Sequence, residues 1–193
     1  MQYREIFDVV LSVPFALTFV AFVATFMPIF TLFVHLVVYV NDLGIASWIG
    51  VGSVSLIGGA TIPGRIAIGS LGDRLGRTRI FVAYATLIAV LVMVLPVVNS
   101  ASLLLLFSLS YGVIYGGAAV LFAPLTVDYF GTENLNATFG IMANALGFGA
   151  VFGSVFASAT YDLLGNYTMT FVVIGVFGLA SPVLLKLASR LIE

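Results

Sequence analysis

Gly69-Ser70-Leu71-Gly72-Asp73-Arg74-Leu75-Gly76-Arg77-Thr78-Arg79 lies between two long apolar runs and sets four charged side chains within seven residues of a charge-poor chain. A glycine-rich turn carrying one carboxylate and interleaved arginines suits the place where two membrane helices meet water. Gly69, Gly72 and Gly76 let the helices approach and the chain turn, and Asp73 can accept hydrogen bonds from the free N–H groups of a helix start. Arg74, Arg77 and Arg79 hold such a turn at the headgroup level.

Composition supports reading the flanks as membrane spans. The 193 residues are 62% hydrophobic and only 8% charged, with a mean hydropathy of +1.22, whereas about 25% of a soluble domain is charged. Six apolar spans can be drawn, at about 11–38, 46–69, 79–98, 102–126, 137–160 and 168–188, each near the roughly 20 residues that cross about 30 Å of hydrocarbon. The chain therefore reads as one all-α, six-helix transmembrane domain over residues 1–193. No charged residue lies between Asp8 and Asp42, so the first span must tilt, kink at Pro14 or Pro28, or project beyond the bilayer. Turn chemistry separates the spans at Asn41-Asp42-Leu43-Gly44, at Asn99-Ser100, from Asp128 to Asn136 and from Asp162 to Asn166.

With an even number of spans both termini share one side. Arg4, Arg65, Arg74, Arg77, Arg79, Lys186 and Arg190, all seven basic residues, lie at or near that side. The positive-inside rule makes it cytoplasmic, in the plasma membrane, with the turns near 41–45, 99–101 and 161–167 outside. The first apolar run is far too long for a signal-peptide core. There is no cysteine, so disulfide, thiolate and zinc-thiolate chemistry are excluded. No phosphate-binding glycine loop, zinc site, catalytic triad or nucleic-acid surface is present, so an enzyme, a cofactor or a nucleic-acid partner is not expected.

Within the spans a few side chains stand out. Arg65 lies about five residues from the basic end of the second span, or about 7 Å at 1.5 Å per residue. A guanidinium there either faces a wet cavity and clamps a carboxylate or snorkels to the headgroups. His35, the only histidine, suits a proton relay or anion contact, or an interhelical hydrogen bond. Ala145, Gly149, Gly153 and Ala157 repeat every four residues in the fifth span, and Gly112 and Gly116 do so in the fourth; such stripes read first as helix-packing seams. Tyr111 and Tyr115 share a helix face, and with Asn144 they either line a pathway or satisfy hydrogen bonds between helices. Spans three and six, without internal charge except Lys186, read as lipid-facing supports.

The arginine turn resembles the loop signature of the major facilitator superfamily, Gly-x-x-x-Asp-Arg-x-Gly-Arg-Arg/Lys, with Thr78 as the departure. Six spans make half of the usual unit of that fold, which is built from two inverted three-helix repeats. The opening Tyr3-Arg4-Glu5-Ile6-Phe7 with Val13-Pro14-Phe15 is similar to the stretch running into the seventh helix of a full transporter. The run Val34-His35-Leu36-Val37-Val38-Tyr39-Val40-Asn41-Asp42-Leu43-Gly44-Ile45 resembles that helix's end in monocarboxylate-transporter-like and oxalate/formate-antiporter-like members. Asp128-Tyr129-Phe130-Gly131 and Tyr161-Asp162-Leu163-Leu164-Gly165-Asn166-Tyr167 resemble the flanks of their eleventh helix. The resemblance covers nearly the whole chain and implies a C-terminal half.

It further implies a conformational latch at Gly69, Asp73, Arg74, Gly76 and Arg77, against the plainer reading that the turn only orients the protein by charge. Arg65 matches the family's eighth-helix arginine, implicated in carboxylate binding. Substrate contacts are accordingly expected at Arg65, His35, Tyr111, Tyr115 and Asn144. Oxalate carriers pair that arginine with an eleventh-helix lysine, and the fifth span here, Ala137 to Thr160, has no basic residue, so a monocarboxylate fits better than a dianion. The expectation is a secondary transporter, or its C-terminal half, that moves a small organic anion by alternating access with a proton as the candidate coupling ion. Its expected partners are the lipid bilayer and a second six-helix half or another copy of itself. The alternative is a truncated or split fragment that acts only as an assembly partner.

Overall fold

The computed structural model describes residues 2–192, and side chains from Ile6 onward other than that of Ala119. The Tyr3-Arg4-Glu5 part of the opening signature, and Arg4 as an orienting charge, lie outside the described side chains. The described chain is helical throughout: α1 (Gln2–Val10), α2 (Val13–Asp42), α3 (Ser47–Leu75), α4 (Arg77–Val94) with a 3-10 turn at Leu95–Val97, α5 (Ala101–Phe130), α6 (Leu135–Leu164), α7 (Thr168–Gly178) and α8 (Ala180–Ile192). Six spans are long and apolar enough to cross a membrane, with α7 and α8 together making the last. In hydrocarbon every backbone polar group must be satisfied within the segment, which is why so apolar a chain resolves into long helices.

Sequence chemistry accounts for the ends. The Ser12 hydroxyl accepts from the Phe15 N–H at the start of α2, where Pro14 sits in the first turn. Pro14 thus starts the first membrane helix, and Pro28 is the proline inside it. Ser100 caps α5 in the same way through the Leu103 N–H. The helices outrun the expected spans at the basic end. α3 continues as helix to Leu75, and Gly76 alone, at φ +95°, separates it from α4. Gly69 to Asp73 therefore stand on the last turns of a helix rather than in a loop. Asp73 caps nothing in α4, whose N-cap Gly76 has no side-chain bond.

The most extensive packing joins α3 to α5 and α6 to α2. These pairs are the second span on the fourth and the fifth on the first, and they exchange under the inverted-repeat relation of the two triplets. Both pairs run parallel, and glycine makes each of them close. A Cβ on Gly112 would lie 2.5 Å from the Ile57 carbonyl oxygen and one on Gly116 2.6 Å from that of Thr61. One on Gly149 would meet Phe26 Cβ at 2.7 Å, and one on Gly153 the Met27 carbonyl oxygen at 2.5 Å. The two small-residue stripes are thus packing seams.

Within the six-helix unit the charge-free third and sixth spans have 39% and 44% of their apolar windows buried, against 28% for α3 and 22% for α6. The reason is packing: α4 lies against α7 and α8, and Gly175 and Gly178 seat on Ala89 of α4. The least buried spans, α3 and α6, carry exposed Trp48, Val51, Ile62 and Ile66, and Phe148, Val151, Phe152 and Val155.

Candidate functional site

At the basic end Arg77 holds three helices together. Its guanidinium donates to Asp128 Oδ1 at 2.8 Å and to Asp73 Oδ1 at 3.2 Å, so the first residue of α4 ties the last turn of α3 to the end of α5. A cation in the first turn of a helix is disfavoured by the backbone dipole, and the two carboxylates offset this. Thr78, where the family signature carries a second basic residue, places its hydroxyl 3.1 Å from the Tyr129 hydroxyl on α5. A neutral contact here replaces a charge. Asp128 went unread as part of this clamp, although a lone carboxylate at a span end opposite three arginines was the available signal.

The glycines divide by role. Gly72 is buried where a Cβ would lie 3.1 Å from the Leu121 side chain of α5, Gly76 supplies the positive φ of the corner, and Gly69 has only Val120 nearby, at 3.9 Å. All the ion-paired side chains are at least a third exposed. The clamp is therefore worth no more than about 1 kcal/mol per pair, a size suited to fastening and releasing. Arg74, in the last turn of α3, is exposed.

Arg65 sits ten residues before the end of α3, beside the closest approach of two backbones. A Cβ on Gly64 would collide with the carbonyl oxygen of Val113, and one on Gly116 would lie 2.7 Å from the Arg65 backbone nitrogen. The side chain is exposed, within electrostatic reach of Tyr115 on α5, and among the described residues it has no ion-pair partner. Pro63 withdraws an N–H from the same turn of α3 and frees the Gly59 carbonyl. Tyr115 carries the ring of Phe33 from α2 at a centroid distance of 5.1 Å. Arg65, Tyr115 and Phe33 thus form one cluster drawn from three helices, and Phe33 is its aromatic member that sequence reasoning missed.

Of the remaining expected contacts, Tyr111 packs behind that cluster, whereas the bonds of His35 and Asn144 lead elsewhere. Tyr111 is fully enclosed, stacked between Phe107 and Tyr115 at 5.7 and 6.3 Å, so it backs Tyr115 rather than lining a surface. Its hydroxyl and that of buried Tyr84 on α4 have no hydrogen-bond partner among the described residues. His35 lies two residues beyond Phe33, about 200° around the helix, and faces the other way. Its Nδ1 is 3.1 Å from the Tyr167 hydroxyl, and its buried Nε2 has no hydrogen-bond partner among the described residues. Burial pushes the Tyr167 phenol above its ordinary value, with Asp42, Tyr161 and Asp162 adding to it, so it stays protonated and can donate to His35. Tyr39, Tyr161 and Phe171 pack on the same ring. Asn144 is exposed on α6 and donates to its own helix, to the carbonyls of Gly140 and Ile141. It stands beside Phe148, Val151 and Phe152 along a shallow apolar cleft.

Comparison with known proteins matches this architecture. A family model for the Major Facilitator Superfamily covers residues 15–191. Monocarboxylate transporter 13 of Rattus norvegicus is 30% identical over 161 residues, which is 80% of this chain and 37% of that protein. Monocarboxylate transporter 12 of Homo sapiens is 29% identical over 166 residues, 84% of this chain and 32% of that protein. The chain spans about a third of the length of these curated relatives. Six apolar helices paired across an inverted repeat, an arginine clamp at one end and a family match over nearly every described residue lead to one identification: this integral, multi-pass membrane chain belongs to the major facilitator superfamily and is monocarboxylate-transporter-like in sequence.

Proposed function

We propose that the chain forms the C-terminal half of a secondary transporter that moves a small monocarboxylate by alternating access, with a proton as coupling ion. The observation that carries this is Arg65. It is an exposed guanidinium on a membrane helix, with no carboxylate paired to it among the described residues, and it adjoins an aromatic wall of Tyr115 and Phe33. One planar fork matches one carboxylate, and the rings take the apolar part of a short organic acid. The names of the similar proteins, monocarboxylate transporters 12 and 13, support the same substrate class. His35, which is bonded to Tyr167 on the other side of α2, then acts outside the carboxylate contact, while Asn144 stands on the exposed face of α6.

The exposed apolar surfaces of α3 and α6 support a companion: a second six-helix half, or a second copy, that closes the cavity. Both termini and the arginine clamp then face the cytoplasm. Impermeant labelling of single cysteines should mark positions 99 and 166 from outside and spare position 78; the reverse pattern would refute this orientation.

Uptake of a labelled short-chain monocarboxylate into proteoliposomes, with and without a companion half, tests the function. Arg65→Gln should lower affinity at least tenfold, about 1.4 kcal/mol, while Arg65→Lys should keep part of it. If Arg65 only snorkels, the Lys variant will match wild type and the Gln variant will lose yield rather than affinity. Unchanged binding in the Gln variant at normal yield would remove Arg65 from the site.

A further inference from the structure

Two residues beyond the clamp the electrostatics reverse. Arg77 faces two carboxylates, whereas Arg79, two residues on in the same helix, shares a cleft with another cation. Arg79 and Lys186 line one cleft of about 380 Å³ between the start of α4 and α8, together with Thr78, Val82 and Ser189. Among the described residues neither cation has a carboxylate within ion-pair distance. Two like charges held at one cleft repel each other unless an anion lies between them. The neighbouring hydroxyls are already turned to protein: Ser189 donates to the Lys186 carbonyl at 3.1 Å, and Thr78 lies 3.1 Å from the Tyr129 hydroxyl. The cations therefore carry the recognition.

The position narrows the anion. Arg79 is the third residue of α4, and Lys186 lies six residues before the end of α8, so both lie toward the basic ends of their spans, within side-chain reach of lipid headgroups. Exposed Val183 and Leu187 continue from Lys186 along the outer surface of α8, an apolar track for an acyl chain. We propose that this cleft binds the phosphate of an anionic phospholipid, with the Arg79 fork and the Lys186 ammonium on its oxygens. Thr78 belongs both to the cleft and to the contact with Tyr129, so a bound headgroup sits one residue from the clamp at Arg77.

Native mass spectrometry of the full chain, extracted with phosphatidylglycerol and phosphatidylcholine of equal acyl composition, tests this. Wild type should retain phosphatidylglycerol preferentially. Arg79→Gln with Lys186→Gln should lower the bound fraction at least tenfold, while Arg190→Gln, which removes an exposed cation from the same helix, should leave it unchanged. Equal loss in all variants would mean diffuse charge attraction, and full retention in the double variant would mean another site; either overturns the proposal. Should the double variant fail to fold, wild type alone decides. Its melting temperature should be several degrees higher in micelles containing phosphatidylglycerol than in phosphatidylcholine, and equal melting overturns the site. Inorganic phosphate should not reproduce the shift; if it does, the ligand is a soluble anion and the lipid assignment falls.

Discussion

The α3/α5 and α2/α6 seams are counterparts under the inverted repeat, yet they are built differently. In the first, glycines stand on both helices: Gly64 meets the Val113 carbonyl, Gly112 that of Ile57 and Gly116 that of Thr61. Backbone rests on backbone. In the second, glycines stand on α6 alone and meet a mixture of backbone and side chain, namely Phe26 Cβ, the Met27 carbonyl and Thr31 Oγ1. Backbone cannot move aside as a rotamer can, so the first seam tolerates less. It is also the seam that carries Arg65 on one helix and Tyr115 on the other. The difference teaches that Arg65 and Tyr115, two of the expected substrate residues, stand on the more rigid of two related contacts, where the backbone that carries Arg65 is fixed by a close approach of two helices.

The comparison breaks most readily at its tightest point. Gly116→Val should destabilise the purified chain by about 3 kcal/mol, through overpacking against two backbone segments, and should displace Arg65. Thermal unfolding in detergent measures the loss; a near-neutral result would show that the seam can open. Gly153→Ala in the counterpart seam should cost less, about 1–2 kcal/mol, because Thr31 can change rotamer although the Met27 carbonyl cannot. Equal losses in matched Ala substitutions at Gly153 and Gly116 would erase the distinction.

The clamp is weaker still. Asp128→Asn should lower stability by under about 1 kcal/mol, since the pair is partly exposed, yet it should change the rate of exchange between access states, read by fluorescence or by uptake in proteoliposomes. Asp73→Asn should act in the same direction, with substrate affinity unchanged. Normal turnover in both variants would reduce the clamp to an orienting charge. The smallest effect is expected at Gly69→Ala. With only Val120 at 3.9 Å, the new methyl meets no obstacle, and helix propensity favours it by up to about 1 kcal/mol; a clear loss would show that α3 must flex there.

Much of the fold was legible because hydrocarbon leaves a chain few choices. Unbroken apolar runs, turn residues between them and seven cations gathered at one end suffice for six helices and for both seams, since a four-residue glycine spacing places every small residue on one face. The turn at Gly69–Arg79 showed its residues but not its shape. Helix extends to Leu75 despite the glycines because α5 packs against its last turns, closest where Leu121 faces Gly72, and no local pattern reveals that neighbour.

The site was legible in part. Arg65 is legible as a charge within a span, and Tyr115 as a member of a helix face shared with Tyr111; that Tyr115 lies beside Arg65 is not. His35 stands out by its chemistry alone, and the helical period puts it on the far side of α2 from Phe33. Composition, charge distribution and the glycine period by themselves determined a six-span membrane chain, its basic end and its packing stripes, because these follow from the cost of polar groups in lipid. Only the tertiary structure decided that Arg77 reaches Asp128, that α4 is more enclosed than α3 within the unit, and that Arg79 and Lys186 share one cleft, because each depends on which helix lies beside which, and contacts across more than fifty residues leave no local trace in the chain.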